Sequence, residues 1–494
     1  MLQDYINNSL FFRHKSGVGL IVLLALLFLI GACTQDENGA PSLVEISSDH
    51  MVLILKNQSE EFSPGAANQV VRALDYAKIP YLTIDLGIIS RELNIPKSVK
   101  SLVVTTQSVA ELSDLELERM VEFASRGGSI VFVGPVLDPR LGFMQGFRAD
   151  AELELDSLNK GFHLFEEGFP GMKNKDFDLP GLQPHYGVQS TDFTNNVATL
   201  AGTATDTEQP FITSRSLGLG EVITVNSFVV EGKIYRGILF SAILRGLASV
   251  PYQVANVSTI FLDDFPAPLY NEKLPPIDEE YNVTHANFVT KIWWPDMKAL
   301  ADSFSIDYAA MVAFNYNANV VPPFDFQEWR QGAVVFNENI VDGSIFLAKD
   351  IRDSRHELAF HGYNHFSLWM EDWDNINFMI SALQAARKRW QVDNLGQLPT
   401  NYVPPTNNID STGLEAVIRG MPSIKYMSSL YLGEVEDGGG REFDPDPYVP
   451  AHIFNYPRIT SGFNMDTNSL FNQKGMQLLT GIWTHFVHPD DVFQ

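Results

Sequence analysis

Val257-Ser258-Thr259-Ile260-Phe261-Leu262-Asp263-Asp264 is a short apolar run that stops on two adjacent carboxylates. A run of this length with polar flanks reads as a buried strand. Strands that end in polar side chains, repeated along a chain, point to a sheet with its chemistry at the C-terminal strand ends. Further candidates follow at Ile306 to Phe314, His356 to Phe360, Asn401 to Val403, Ile424 to Tyr431, His452 to Tyr456 and Ile482 to Val487. Long loops and helices separate them. The spacing predicts a distorted (β/α) barrel over residues 249–494. The chain stops at Gln494, six residues past His488, so the barrel is expected to be short or the chain truncated.

Upstream, residues 49–248 alternate apolar runs with amphipathic stretches. Met51 to Leu55, Tyr81 to Leu86, Ser101 to Thr106 and Ile130 to Gly134 read as strands, and Ala66 to Ala77 and Ser113 to Ser125 as helices. Such alternation predicts an open parallel α/β sheet. Phe211 to Ser214 and Glu221 to Asn226 flank Leu217-Gly218-Leu219-Gly220, a strand–turn–strand signature that lacks the helix a dinucleotide cradle needs. In pattern this half resembles the class I glutamine-amidotransferase-like (flavodoxin-like) domains. Those enzymes need a nucleophilic cysteine that this region does not contain, so a non-catalytic domain is expected.

The N-terminus reads as a targeting segment. Arg13, His14 and Lys15 precede an apolar core from Val18 to Ile30, too short to span a bilayer comfortably. Ile30-Gly31-Ala32-Cys33 resembles the bacterial lipobox, which implies a signal peptide over residues 1–33 and lipidation of Cys33. An ordinary cleavable signal or an anchor helix is the alternative. Cys33 is the only cysteine, so an intrachain disulfide is impossible. Residues 34–48 form a polar tether, and its Gln35-Asp36-Glu37 resembles a surface-export signal. A lipid-anchored cell-envelope protein is expected, on either face of the membrane. With 60 acidic against 34 basic residues, the net charge of −26 repels phosphate backbones and excludes nucleic acid as a partner.

Four strand ends carry chemistry. Asp263-Asp264 places like charges side by side, which costs energy unless a cation or proton is shared; a solvated loop pair or helix cap is the bland alternative. In His361-Gly362-Tyr363-Asn364-His365, two imidazoles four apart can chelate a divalent ion with a carboxylate from elsewhere. Tyr402-Val403-Pro404-Pro405-Thr406-Asn407 stiffens a turn with two prolines. Trp483 to Asp491 delivers His485 and His488, which three-residue spacing puts on opposite faces of one strand.

The order of these groups resembles the polysaccharide deacetylase (NodB-like) superfamily, and the whole layout resembles a family of uncharacterised bacterial lipoproteins. The resemblance implies a barrel of the deacetylase type, with Asp264, His361 and His365 holding a divalent metal, most often zinc. It implies Asp263 as general base and His488, or else His485, as general acid. The usual base-orienting Arg has no match beside Pro404, and Arg458 could supply that charge. Pro405, Asn407 and Trp369 are candidate substrate contacts, and Trp293, Trp294 and Trp373, like Trp369, could stack on sugars or equally well pack in the core. The implied activity is N-acetyl removal from an amino-sugar polysaccharide. An inactive glycan-binding or export-assisting lipoprotein and a metal-free glycosidase with paired carboxylates are the alternatives.

Overall fold

The computed structural model describes residues 51–88, 93–136, 138–148, 153–157, 161–167, 171–178, 185–188, 197–203, 210–247, 257–325, 332–336, 338–433 and 438–491. The expected signal peptide, Cys33 and the tether lie outside the described residues. Asp49–Gln494 forms one compact unit. Among the described residues no helix is long and apolar enough to cross a membrane.

The first sheet begins with β1 (Met51–Lys56), α1 (Phe62–Ala77), β2 (Tyr81–Asp85), β3 (Val99–Val104), α2 (Asp114–Ser125), β4 (Ser129–Val133) and α3 (Pro139–Gln145). Short strands follow: β5 (Leu153–Ser157), β6 (Gly161–Leu164), β7 (Asp176–Asp178), β8 (His185–Val188) and β9 (Val197–Thr203). Then come β10 (Pro210–Leu217), β11 (Gly220–Val225) and α4 (Arg236–Gly246). The strand order is β2-β1-β3-β4-β11-β10-β9-β6-β7. Pairing is parallel from β2 to β11 and antiparallel from β11 onward. The expected open parallel sheet is therefore half of a mixed one. The physical reason is the turn at Gly218-Leu219: Gly218 sits at φ 64, and a Cβ there would stand 2.5 Å from the Ser125 carbonyl oxygen. A two-residue turn of this kind returns the chain antiparallel.

The second sheet is entirely parallel. It contains β12 (Val257–Leu262), β13 (Tyr308–Asn315), β16 (Glu357–Asn364), β17 (Asn401–Tyr402), β18 (Tyr426–Met427), β19 (Phe454–Asn455), β20 (Thr460–Ser461) and β21 (Ile482–Val487). A separate hairpin, β14 (Ala333–Phe336) with β15 (Asn339–Asp342), follows β13. The longer helices between strands are α5 (Trp294–Phe304), α6 (Gly343–Asp353), α7 (Ile376–Val392), α8 (Ser411–Gly420) and α9 (Thr467–Thr480). The sheet is curled. Residues 454–458 bond to the β18 side through Tyr456 N to Met427 O (2.7 Å) and Arg458 N to Ser429 O (2.7 Å). Ile459 N then turns to Thr484 O of β21 (3.0 Å), so one segment serves both ends of the sheet. Inside the curl lies a small apolar cluster of Phe261, Ala309, Met311, Ala359 and Val403. Leu262, Phe360 and Tyr402 face outward onto the helices.

The two sheets share a helix layer. One core contains Val52, Val70 and Ile243 from the first half and Phe471, Met476 and Leu479 of α9 from the second. The α4–α9 approach is close because two glycines meet: a Cβ on Gly237 would stand 2.3 Å from the Gly475 Cα.

Candidate active site

Strand parity brings the polar groups to one face. Phe261 points into the curl, so Asp263 does too, and it is buried at 2% exposure. Asp264 then bends back at φ 56, a conformation that non-glycine residues hold only where surroundings impose it. On β16 the register against β13 slips: Val312 pairs with Phe360 and Ala313 with Gly362, leaving His361 as the extra residue of a bulge. Bulges re-aim side chains. His361 faces inward by the same alternation that turns Ala359 in and Phe360 out, and the bulge shifts the parity beyond it, so that Tyr363 packs outward with Phe360. Gly362 is required here, since it sits at φ 113 with the Pro405 ring 3.1 Å from where a Cβ would lie.

Asp264 Oδ1 lies 3.4 Å from His361 Nε2 and 3.7 Å from His365 Nε2. These separations exceed the ~2.7–2.9 Å of a charge-assisted hydrogen bond. They match the ~3.4 Å between two ligand atoms that each sit ~2.1 Å from one tetrahedral ion. One ligand atom from each residue falls within 4.8 Å of the others. Asp264 Oδ1 is buried and accepts no hydrogen bond. His361 gives its Nδ1 to the Val403 carbonyl at 2.8 Å, which fixes the ring and leaves Nε2 facing the carboxylate. Burial holds the His361 imidazole below its ordinary range, against the opposing pull of Asp263 and Asp264, and so keeps a lone pair available. Two imidazole nitrogens and one carboxylate oxygen suit a divalent ion of the zinc type. The residues present fit one.

Arg458 pairs with Asp263 Oδ2 and donates its other terminal nitrogen to Asn407 Oδ1. The guanidinium stacks on Phe486, 3.9 Å from the ring centroid. Burial would raise the Asp263 carboxyl, but Arg458, His361 and His488 outweigh it and hold the group below the ordinary carboxylate range. His488 follows Phe486 by two residues and shares its inward parity. Its Nδ1 lies 3.2 Å from both Asp491 oxygens. Burial would depress this imidazole. The Asp491 hydrogen bond and the charges of Asp263 and Asp264 prevail, pushing its pKa up to about 9. His485 faces the other way, its Nδ1 2.8 Å from Thr460 Oγ1.

Pro405 is buried against Gly362, and Asn407 spends its side-chain oxygen on Arg458. Trp369 is half-buried in the loop after β16. Trp293 and Trp294 belong to the core under β12, and Trp373 to the core under β16. Of the two readings of these three, core packing is the one the structure shows, since they fill the outer layer.

Sequence reading missed Tyr316. Its ring stacks on His365 with centroids 5.0 Å apart at 12°, and its hydroxyl interacts with Asp264, so it braces two members of the cluster. The signal was modest: a tyrosine directly after β13, at the same end of the sheet.

At the first sheet's C-terminal strand ends the crevice between β1 and β3 is filled from within. Glu60 accepts from Ser108 N (3.0 Å), Ser108 Oγ (2.8 Å) and Gln107 N (3.1 Å). In open α/β sheets that crevice is where ligands dock.

These features define an α/β protein with a histidine–carboxylate cluster at the strand ends of a curled parallel sheet. The family described as "Uncharacterised protein conserved in bacteria (DUF2194)" matches residues 166–494, about two thirds of the chain, and the chain belongs to it. No curated protein matches the sequence. Similar solved structures include a β-galactosidase from Rahnella sp. R3, at 15% identity and TM-score 0.29, covering 40% of this chain and 31% of that one. A β-galactosidase from Bacillus circulans sp. alkalophilus shows 14% identity and TM-score 0.28, covering 40% and 32%. A ThuA-like protein from Bacteroides uniformis shows 13% identity and TM-score 0.29, covering 43% and 96%. The chain spans about a third of the length of those β-galactosidases. The resemblance to polysaccharide deacetylases is thereby corrected: the family whose model matches is a different one. Asp-Asp and His-x-x-x-His at strand ends meet a general need, that of holding a cation, so a shared order of such residues does not carry kinship.

Proposed function

We propose that this site hydrolyses an acyl bond, with the N-acyl group of an amino-sugar polymer as the substrate class, and that Asp264, His361 and His365 hold a divalent metal for it. The observation that carries the reading is the buried, unbonded Asp264 oxygen facing two Nε2 atoms at 3.4 and 3.7 Å. A bound zinc-type ion supplies Lewis acidity to a carbonyl and acidifies water. The chain supplies the rest. Asp263, kept ionised by Arg458, accepts a proton from the attacking water. His488, protonated at neutral pH, donates to the departing nitrogen, which leaves as an amine. Products are a carboxylate and the freed amino group. Purified residues 49–494 should bind about one zinc per chain and release acetate from an N-acetylated glycan, and a chelator should stop this. Absence of bound metal together with chelator-insensitive turnover would end the reading.

Asp491→Asn removes the main hydrogen-bonding support for His488. Because the acid works only when protonated, rate falls as pH rises through its pKa. The alkaline limb of kcat should therefore move from near 9 toward the ordinary ~6.5 of histidine. An unmoved limb would exclude His488 as the acid.

A glycosidic bond is the second reading, since paired carboxylates can cleave one without metal. It needs one carboxyl protonated near neutrality, and Asp263 is held in the opposite direction. Chelator-insensitive release of a reducing sugar would support it.

The lipid anchor belongs to the same reading, placing the enzyme in the cell envelope. Cys33→Ser should shift the full chain from the detergent phase to the aqueous phase, and unchanged partitioning would refute the anchor.

A further inference from the structure

The first sheet's helices grip one loop of the second sheet. Arg236 on α4, itself buried, donates to both oxygens of Glu442 at 2.9 and 3.0 Å. Tyr76 on α1 donates to the same carboxylate, and Lys233 lies 3.2 Å from it. Lys233 also donates to the carbonyls of Tyr431 and Arg441, each at 2.7 Å. Burial would raise the Glu442 carboxyl, but Arg236, Lys233 and Tyr76 hold it at about 2. Tyr431 and the stretch 438–442 are thus tied down from outside the curled sheet.

The same stretch touches the frame of the site. Tyr431 N donates to Arg458 O at 2.9 Å, and Ser429 Oγ to Asn407 O at 2.9 Å. Gly438, at φ 73, lies so near that a Cβ would stand 2.1 Å from the Asn407 carbonyl oxygen. Arg458 and Asn407 are the two residues that aim at Asp263, one directly and one through the other.

We propose that the N-terminal α/β layer is a working part of the site: the Arg236–Glu442 clamp, through Tyr431 and 438–442, positions Arg458 and with it the Asp263 carboxylate. Arg236 and Glu442 are then positioning residues. The kinetic consequence rests on the hydrolase reading, whereas the geometric one does not.

The test uses Arg236→Met/Glu442→Leu, which removes both charges together and so leaves neither buried alone. Tyr431→Phe, which loses only the hydroxyl that meets Arg236 at 3.0 Å, serves if the double variant does not fold. In folded, metal-loaded double variant, kcat should drop at least tenfold with KM within twofold. Tyr431→Phe should lower kcat about threefold. Arg236→Lys, which keeps the charge, should recover part of the loss. Independently of activity, solvent exchange of the Arg458 guanidinium, followed by nitrogen-15 NMR, should speed up at least tenfold in the double variant and measurably in Tyr431→Phe. Wild-type kcat and wild-type exchange in whichever variant folds would overturn the proposal. If the unaltered protein turns over no acylated glycan, the hydrolase reading fails alone, and the exchange measurement still decides the clamp.

Discussion

His361→Ala should lower bound zinc from about one equivalent to under a tenth and cut turnover by roughly 10³-fold or more. The size of the effect follows from how His361 is held. Its ring is 2% exposed, oriented by the Val403 carbonyl, and presents Nε2 to Asp264 at 3.4 Å. Alanine leaves the Asp264 oxygen facing His365 alone, and two donors at 3.7 Å make a weak site. Asp264→Asn should also lose metal, although its shape is kept, because the anionic donor is gone. Elemental analysis beside acetate release checks both. Retention of metal and rate in His361→Ala would leave no role for the cluster.

Arg458→Met should cost about 3–5 kcal/mol at neutral pH, the effect of leaving one buried charge of a pair uncompensated. In the unaltered protein Asp263 is held below its unfolded value, so its stabilisation is complete above ~3.9 and fades as pH falls through the lower folded value. Without Arg458, burial prevails and the folded value rises above the unfolded one. The variant then loses stability as pH climbs above ~3.9. The gap between the two proteins should therefore be small near pH 3 and full at pH 7. Urea unfolding across that range measures it, and adding Asp263→Asn should recover much of the loss. Equal midpoints at pH 7 would mean that the pair contributes nothing.

Much of this was legible beforehand. Each strand expected from Val257 to Val487 has a counterpart, because buried parallel strands are written as apolar runs, but β16 runs past its predicted end at Phe360 to Asn364, and β14, β15 and β20 were not foreseen. The grouping of Asp264, His361 and His365 came from the resemblance, with strand-end placement putting the three on one face, and their ligand atoms lie within 4.8 Å of one another. The bulge at His361 left no such mark. Register slips depend on the partner strand, and Val312-Ala313 carries no local sign of one. Arg458 was considered from its charge, but its pairing with Asp263 spans 195 residues and has no periodic signature. The first sheet's antiparallel half was hidden for a related reason: β6 and β7 are short, and Thr199 and Gly202 interrupt the apolar run of β9.

The shared helix layer also bears on how the chain is made. The core beneath β1 is completed by Phe471, Met476 and Leu479, more than 400 residues downstream. In the first half alone α1 and α4 cover β1, but their own outer apolar face stays open until the segment that carries α9 has been made. The two halves therefore settle into their final packing together, with α9 as the piece that closes the shared layer.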